Sequence, residues 1–287
     1  MRLFLGFIVA AVVVLNADGL RGLHAETFRM ALPTGTQDLY KYQVGALQLA
    51  LDHAPGDHRL EVEYIDLLTQ GRLMDMLRQG EINITLSGYN RSWEQEFLQV
   101  DFPLTRGLQG YRLLIIPPGF QSKLSDIQNL DDIKSYCIGS GANWQETPIL
   151  KRAGLCVEEA PQNALLNMLE KRRFDMMHLA VHEALLSEKT PMIAGRDLVV
   201  EQALMLRYKY DLFYYVRQPD QTRHDIVEAG FQTAFDNGAF MEYFRSSPEM
   251  SAAMAHIRSS NRRIIDIENV DLSQRTRKNA DMFWFGD

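Results

Sequence analysis

The sequence predicts an α/β protein of two lobes, each a mostly parallel sheet flanked by helices, with two crossing segments between the lobes serving as a hinge. Three observations carry this reading. Strand and helix patterns alternate in one series before Asn90 and in a second after Ser135, as they do in parallel sheets covered by helices. An extended passage from Val100 to Ile116 joins the two series. A β-rich segment, Asp211 to Val216, leads back into a helical C-terminal part.

The first series opens with the alternating strand Thr27 to Pro33. A polar turn, Thr34-Gly35-Thr36, precedes a helix with Val44, Leu47 and Leu51 on one side. A strand from Leu60 to Ile65 follows, then a helix holding Leu73, Met76 and Leu77 that stops at Gly80, then the strand Ile82 to Leu86. Pro117-Pro118-Gly119 ends the crossing strand Tyr111 to Ile116. The second series runs through strands at Tyr136 to Ile138, Leu155 to Val157 and Phe174 to Leu179, with helices around Pro148 to Ala153 and at Leu165, Met168 and Leu169. After the return crossing, Val227, Phe231 and Ala234 share a helix face that Asn237-Gly238 ends, and the last helices are expected on lobe one. The tail from Arg262 reads as irregular, with Phe283-Trp284-Phe285 docking as an apolar latch. The predicted organisation is a leader at 1–25, lobe one from 26–105 plus 213–287, and lobe two from 106–212.

Arg2, the apolar run Leu3 to Leu15 and the ending Leu23-His24-Ala25 follow the order of a secretory signal, with cleavage expected before Glu26 and Ala17 as the alternative site. The run is shorter than the ~20 residues a spanning helix needs, and with no Cys beside it a lipid anchor is not expected. The expected location is the periplasm. The chain of 287 residues is 46% hydrophobic, enough for two modest cores, and its net charge of −7 speaks against nucleic acid as a partner. In an oxidising compartment Cys137 and Cys156 can pair. They sit on strands flanking one short helix, so a right-handed crossover sets them side by side; two buried free thiols are the alternative.

The run Gly80-Glu81-Ile82-Asn83-Ile84-Thr85-Leu86-Ser87-Gly88, followed by Glu94 to Phe102, resembles the extracellular solute-binding proteins of family 3, of the periplasmic-binding-protein type II class. Ile138-Gly139-Ser140-Gly141, Arg173-Phe174-Asp175 and Asn237-Gly238-Ala239-Phe240 add to it, in the family's order, so the resemblance covers nearly the whole mature chain. It implies capture of a small polar solute in the cleft between lobes, for an inner-membrane permease of ABC type, by a protein acting as a monomer without cofactor or metal. The same fold as a sensing module for a membrane signalling protein is the alternative, and an enzyme of related fold a lower one. Family members that bind amino acids place an Arg before the Val-Asp-Phe strand and an Asp after the second-lobe strand. Here Glu96 and Ala180 stand there, so an ordinary amino acid is not expected unless Arg91 or Arg106 supplies the positive charge. Gly107 to Arg112 and Gly141 to Thr147 are similar to a divergent, stand-alone branch.

In open α/β sheets ligands lie beyond the carboxyl ends of the strands, which selects four loops. The first offers Thr34 and Tyr40. The second, Ser87-Gly88-Tyr89-Asn90-Arg91, gathers a hydroxyl, an amide, an aromatic ring and a guanidinium, with Ser87, Tyr89 and Arg91 as candidate contacts; a solvated loop Arg is the bland alternative. The third offers Ser140, Asn143 and Trp144, with Thr147 as cap and Pro148 at the first position of a helix whose start favours an anion. The fourth offers His178, with His182 and Glu183 near it. The spacing of the two His lacks a zinc-protease order, so no metal is expected. No nucleophile elbow, P-loop or dinucleotide fingerprint appears in the sequence, and no enzyme is expected.

Overall fold

The computed structural model describes residues 25–187, 193–278 and 281–285. All of the leader except Ala25 lies outside them, and no helix among the described residues is long and apolar enough to cross a membrane.

Strand β1 (Thr27–Pro33) buries Phe28, Met30 and Leu32 and pairs in parallel with β2 (Arg59–Ile65), the two joined by helix α1 (Gln37–His53). Helix α2 (Gln70–Gln79) is capped by the Thr69 hydroxyl and ends where Gly80 turns left-handed at φ 79°, a conformation without penalty only for glycine. The chain then passes Arg29, whose carbonyl accepts from Asn83 N and Ile84 N, and enters β3 (Thr85–Gly88). β3 and β4 (Phe97–Gln99) flank the returning strand β11 (Leu212–Arg217), which runs against both. Helices α8 (Gln221–Asp236) and α9 (Ala239–Ser246) close this lobe. Phe231 and Phe240 pack on Phe102 with ring centroids 4.6 and 4.7 Å away, beside the buried Val227 and Ala234.

The second lobe's sheet is built on β5 (Tyr111–Ile116), in the order β12 (Arg263–Asp266), β10 (Leu204–Arg207), β5, β8 (Met176–Ala180), β6 (Cys137–Gly141), β7 (Cys156–Ala160), with the short β9 (Val199–Val200) also paired to β5. Here β6 (Cys137–Gly141) lies parallel to β7 (Cys156–Ala160) and to β8 (Met176–Ala180), with helices α5 (Thr147–Arg152) and α6 (Gln162–Glu170) as connectors. This seven-stranded sheet is therefore mixed, while the strands of lobe one form a parallel pair, β1-β2, and an antiparallel trio, β3-β11-β4. Strands connected through helices run parallel, as the alternation predicts, while β5 and β11 arrive through the crossings from the opposite end and run antiparallel. Cys137 and Cys156 are register partners in neighbouring strands and form a disulfide.

The C-terminal region departs from expectation. Arg263–Asp266 forms β12, parallel to β10 (Leu204–Arg207), and so belongs to the second sheet rather than to lobe one. Helix α10 (Pro248–Ser259) packs against α7 (Val181–Ser187) of the second lobe as well as against α9, and Gln274–Lys278 is a helix, α11, where an irregular tail was expected. A four-residue strand with alternating exposure carries no information about which sheet edge it will join. The latch does form. Trp284 is buried, Phe283 packs on Phe102 and Phe235, and Phe285 lies edge-on to Tyr111.

Candidate functional site

The two crossings run side by side. Leu104 N donates to Leu212 O at one end and Tyr208 N to Gly110 O at the other. Between them the fully buried Asp211 carboxylate accepts from Thr105 N (2.9 Å), Thr105 Oγ1 (3.0 Å), Gly107 N and Leu212 N (2.7 Å), so one side chain fastens both strands of the hinge. Burial pushes this carboxyl up to about 7, against the pull of those hydrogen bonds.

Between the lobes lies a cavity of about 740 Å³. Lobe one contributes Gln70 and Met74 of α2 and Asn90 and Trp93 from the turn after β3; lobe two contributes Asn143, Trp144 and Gln145 from the loop after β6, and Thr147 of α5. Trp144 is held by what lies behind it. A Cβ on Gly141 would come within 2.2 Å of its indole, so only glycine leaves that space, and the ring meets His178 edge-on at 5.7 Å.

Beneath this loop is a buried polar network that the loop-based reading did not anticipate. Arg112, only 1% exposed, donates to Gln109 O (2.9 Å), Glu146 Oε1 (3.0 Å) and His178 Nδ1 (3.2 Å from Nε). Burial works against its charge, but Tyr208, Glu146, Glu183 and Tyr210 around it raise its pKa above the usual arginine range. Burial and then Arg112 hold His178 well below the ordinary imidazole range, so the ring is neutral. A guanidinium can only donate, which places the ring proton on Nε2. That proton goes to Ser140 Oγ (3.0 Å), whose hydroxyl donates to Thr147 Oγ1 (2.7 Å), and Thr147 in turn donates to Gly141 O. Ser140 and His178 thus have the spacing of a nucleophile and its base with the polarity reversed: the Nε2 that would accept the hydroxyl proton is already a donor. Glu183 accepts from Ala180 N (2.9 Å) and Gln109 Nε2 (3.2 Å). Burial pushes it up, yet Arg112 and His182 hold it below the usual carboxylate range.

A scan against protein-family models finds no match, and a search of curated proteins finds none either. Solved structures do match. An amino acid ABC transporter substrate-binding protein from Streptococcus pneumoniae, bound to L-arginine, gives a TM-score of 0.53 at 13% identity over 74% of this chain and 82% of that one. A probable amino-acid ABC transporter extracellular-binding protein from Bacillus subtilis gives 0.57 at 14% over 79% and 99%, and a putative L-cystine ABC transporter from Listeria monocytogenes 0.52 at 13% over 77% and 95%. The chain has the fold of these binding proteins. At such identities the likeness shows the fold alone.

Of the residues expected in the site, Asn143 and Trp144 line the cavity, and Asn143 does so in a left-handed conformation at φ 70° that asparagine tolerates. Ser87 is buried one step behind, accepting from Gln70 Nε2 (3.2 Å). Ser140 and His178 are fully buried in the network and reach the cavity through Thr147 and Trp144. Tyr89 is buried with its hydroxyl donated to Glu94 (2.6 Å), and Arg91 is exposed at the start of a short 3-10 turn. Neither these two nor Thr34 and Tyr40 are among the cavity's lining residues. Thr34 is exposed, and Tyr40 is half-buried beside Glu183, its hydroxyl pushed up to about 12 by burial and that charge. Arg106 is engaged elsewhere: it donates to the carbonyls of Met282 (2.9 Å) and Trp284 (3.2 Å) and lies over the Phe244 ring, binding the tail to the hinge. The anion-binding helix start is also corrected. α5 has six residues, its N-cap is Glu146 rather than Thr147, and that position already carries the protein's own carboxylate. Glu96 is paired with Arg78 (2.5 Å) and Ala180 is fully buried. Trp93, Gln70 and Arg112 were not singled out from sequence. Arg112 had a readable signal, a lone charge inside the otherwise apolar strand Tyr111 to Ile116.

Proposed function

We propose that the chain is an exported solute-binding protein that captures a small polar ligand between its lobes by hinge closure and delivers it to a membrane permease of ABC type. The observation that carries this reading is the cavity lined from both lobes, with the two segments that connect the lobes running side by side and tied together by the buried Asp211. The solved structures that share the fold, described as substrate-binding proteins of ABC transporters, support it. So does the Cys137–Cys156 disulfide, which an oxidising compartment outside the cytoplasm permits. The division at 26–105 and 106–212 belongs to the same reading, with the C-terminal part shared between lobes through β12 and α10. In this reading the ligand is bound and released unchanged, and Ser140 is no nucleophile for it, since it is buried and already accepts the His178 proton.

The test is thermal unfolding of the mature chain against a broad metabolite library, since any ligand of the folded state raises apparent stability by mass action. At ligand concentrations of about 100 Kd a stabilisation of ~2.7 kcal/mol is expected. A library without a single stabilising compound, or one whose stabilising compound is chemically consumed, refutes the reading.

A further inference from the structure

We propose that the ligand of the cleft is a neutral saccharide of one or two rings, stacked on Trp93 and Trp144. This rests on the reading of the chain as a solute-binding protein and adds the chemical class of the solute.

The two lobes each bring one tryptophan to the same cavity, and each ring is braced from behind. Trp93 meets Phe97 and Tyr215 edge-on at 6.3 and 5.6 Å, and Trp144 is fixed between Gly141 and His178. Aromatic rings held in this way are platforms whose ordering cost has been met before binding. The uncharged polar side chains that line the cavity with them are four amides, Gln70, Asn90, Asn143 and Gln145, and the Thr147 hydroxyl. Gln70 is oriented by its bond to Ser87, Asn90 by accepting from Ser92 N, and Gln145 by its bond to Asn143 O. An amide donates and accepts in one plane, which suits vicinal hydroxyls that do both.

Every charged side chain on the cavity wall is already matched inside the protein: Arg78 with Asp75 and Glu96, Lys151 with Glu159, and Arg152 with Asp271. These pairs are partly exposed and add little stability, but they leave the wall nearly balanced, so a charged ligand meets no unmatched charge there. Stacking platforms, amides and balanced charge together describe a ligand with apolar faces, hydroxyl edges and no net charge. The volume falls within the ~300–1,000 Å³ of ordinary ligand sites.

The experiment titrates the purified mature chain with maltose, cellobiose and N,N′-diacetylchitobiose, with arginine, glutamate and cystine, and with adenosine, following tryptophan fluorescence and melting temperature. The expected result is saturable binding of at least one saccharide, with Kd changing less than about twofold between low and high salt because no charge is engaged. Trp93→Ala and Trp144→Ala each weaken it tenfold or more. Should either variant fail to melt cooperatively, Asn143→Ala and Gln70→Ala, which remove contacts without a large cavity, are expected to weaken binding several-fold. Binding of an amino acid or of adenosine in place of the saccharides overturns this proposal and leaves the solute-binding reading standing. Saccharide binding untouched by all four substitutions overturns it as well. A chain that responds to none of these compounds counts against this proposal, and failure of the wider library would remove the solute-binding reading with it.

Discussion

Replacing Arg112 with methionine is expected to be one of the most damaging single changes in the second lobe. The guanidinium is 1% exposed and its removal strips partners from three groups at once: Glu146 Oε1, His178 Nδ1 and the Gln109 carbonyl. Glu146 is 7% exposed and would be left as a buried charge without its cation. Breaking a buried pair by taking one partner costs about 3–5 kcal/mol, far more than the pair contributes over an apolar replacement. With a urea m-value of about 3 kcal/mol/M, the midpoint should fall by roughly 1–1.7 M. In the double variant Arg112→Met/Glu146→Leu the uncompensated carboxylate is gone, so it should regain part of that loss and show a coupling of about 1–3 kcal/mol. Equilibrium urea unfolding of the wild type, both single variants and the double variant reads this directly. A midpoint shift below about 0.3 M for Arg112→Met, or strict additivity in the cycle, would refute the account of Arg112 as the centre of the network.

Asp211 gives a pH dependence whose sign follows from its raised pKa. The folded state holds this proton up to about pH 7 while the unfolded chain releases it near 4, so the stability this group contributes is full below about 4 and is lost as pH rises towards 7. Urea midpoints of Asp211→Asn measured from pH 4 to 8 should lack that component of the slope; an unchanged slope rejects it. Reducing the Cys137–Cys156 disulfide, which spans a separation of 19 residues, should cost about 3 kcal/mol by loop entropy, or roughly 6–12 °C in melting temperature, and a melt insensitive to dithiothreitol contradicts this. Gly141→Ala places a methyl 2.2 Å from the Trp144 ring, so a loss of about 1–3 kcal/mol and altered Trp144 fluorescence are expected, and a variant with wild-type stability and spectrum shows the contact to be looser than described.

Local pattern determined the two series, the crossings and the helix stop at Gly80, and the handedness of one crossover placed Cys137 beside Cys156, but the structure decided between a disulfide and two free thiols. The position of Asn143 and Trp144 in the cleft followed from the rule that ligands lie beyond strand ends. What the sequence left open depends on contacts between distant segments. Arg106 and Arg91 look alike in a loop, but only the folded chain shows one tied to carbonyls of residues 282 and 284 and the other in solvent. The edge that β12 joins, the return of α10 to the second lobe, and the meeting of Trp93 with Trp144 around one cavity have no local signature. Ser140 and His178 were expected to meet a ligand and Glu146 was not singled out, yet beside the strand carrying Arg112 all three are buried in one internal network. A buried charge must find its partners across the sheet, and only tertiary structure decides which residues those are.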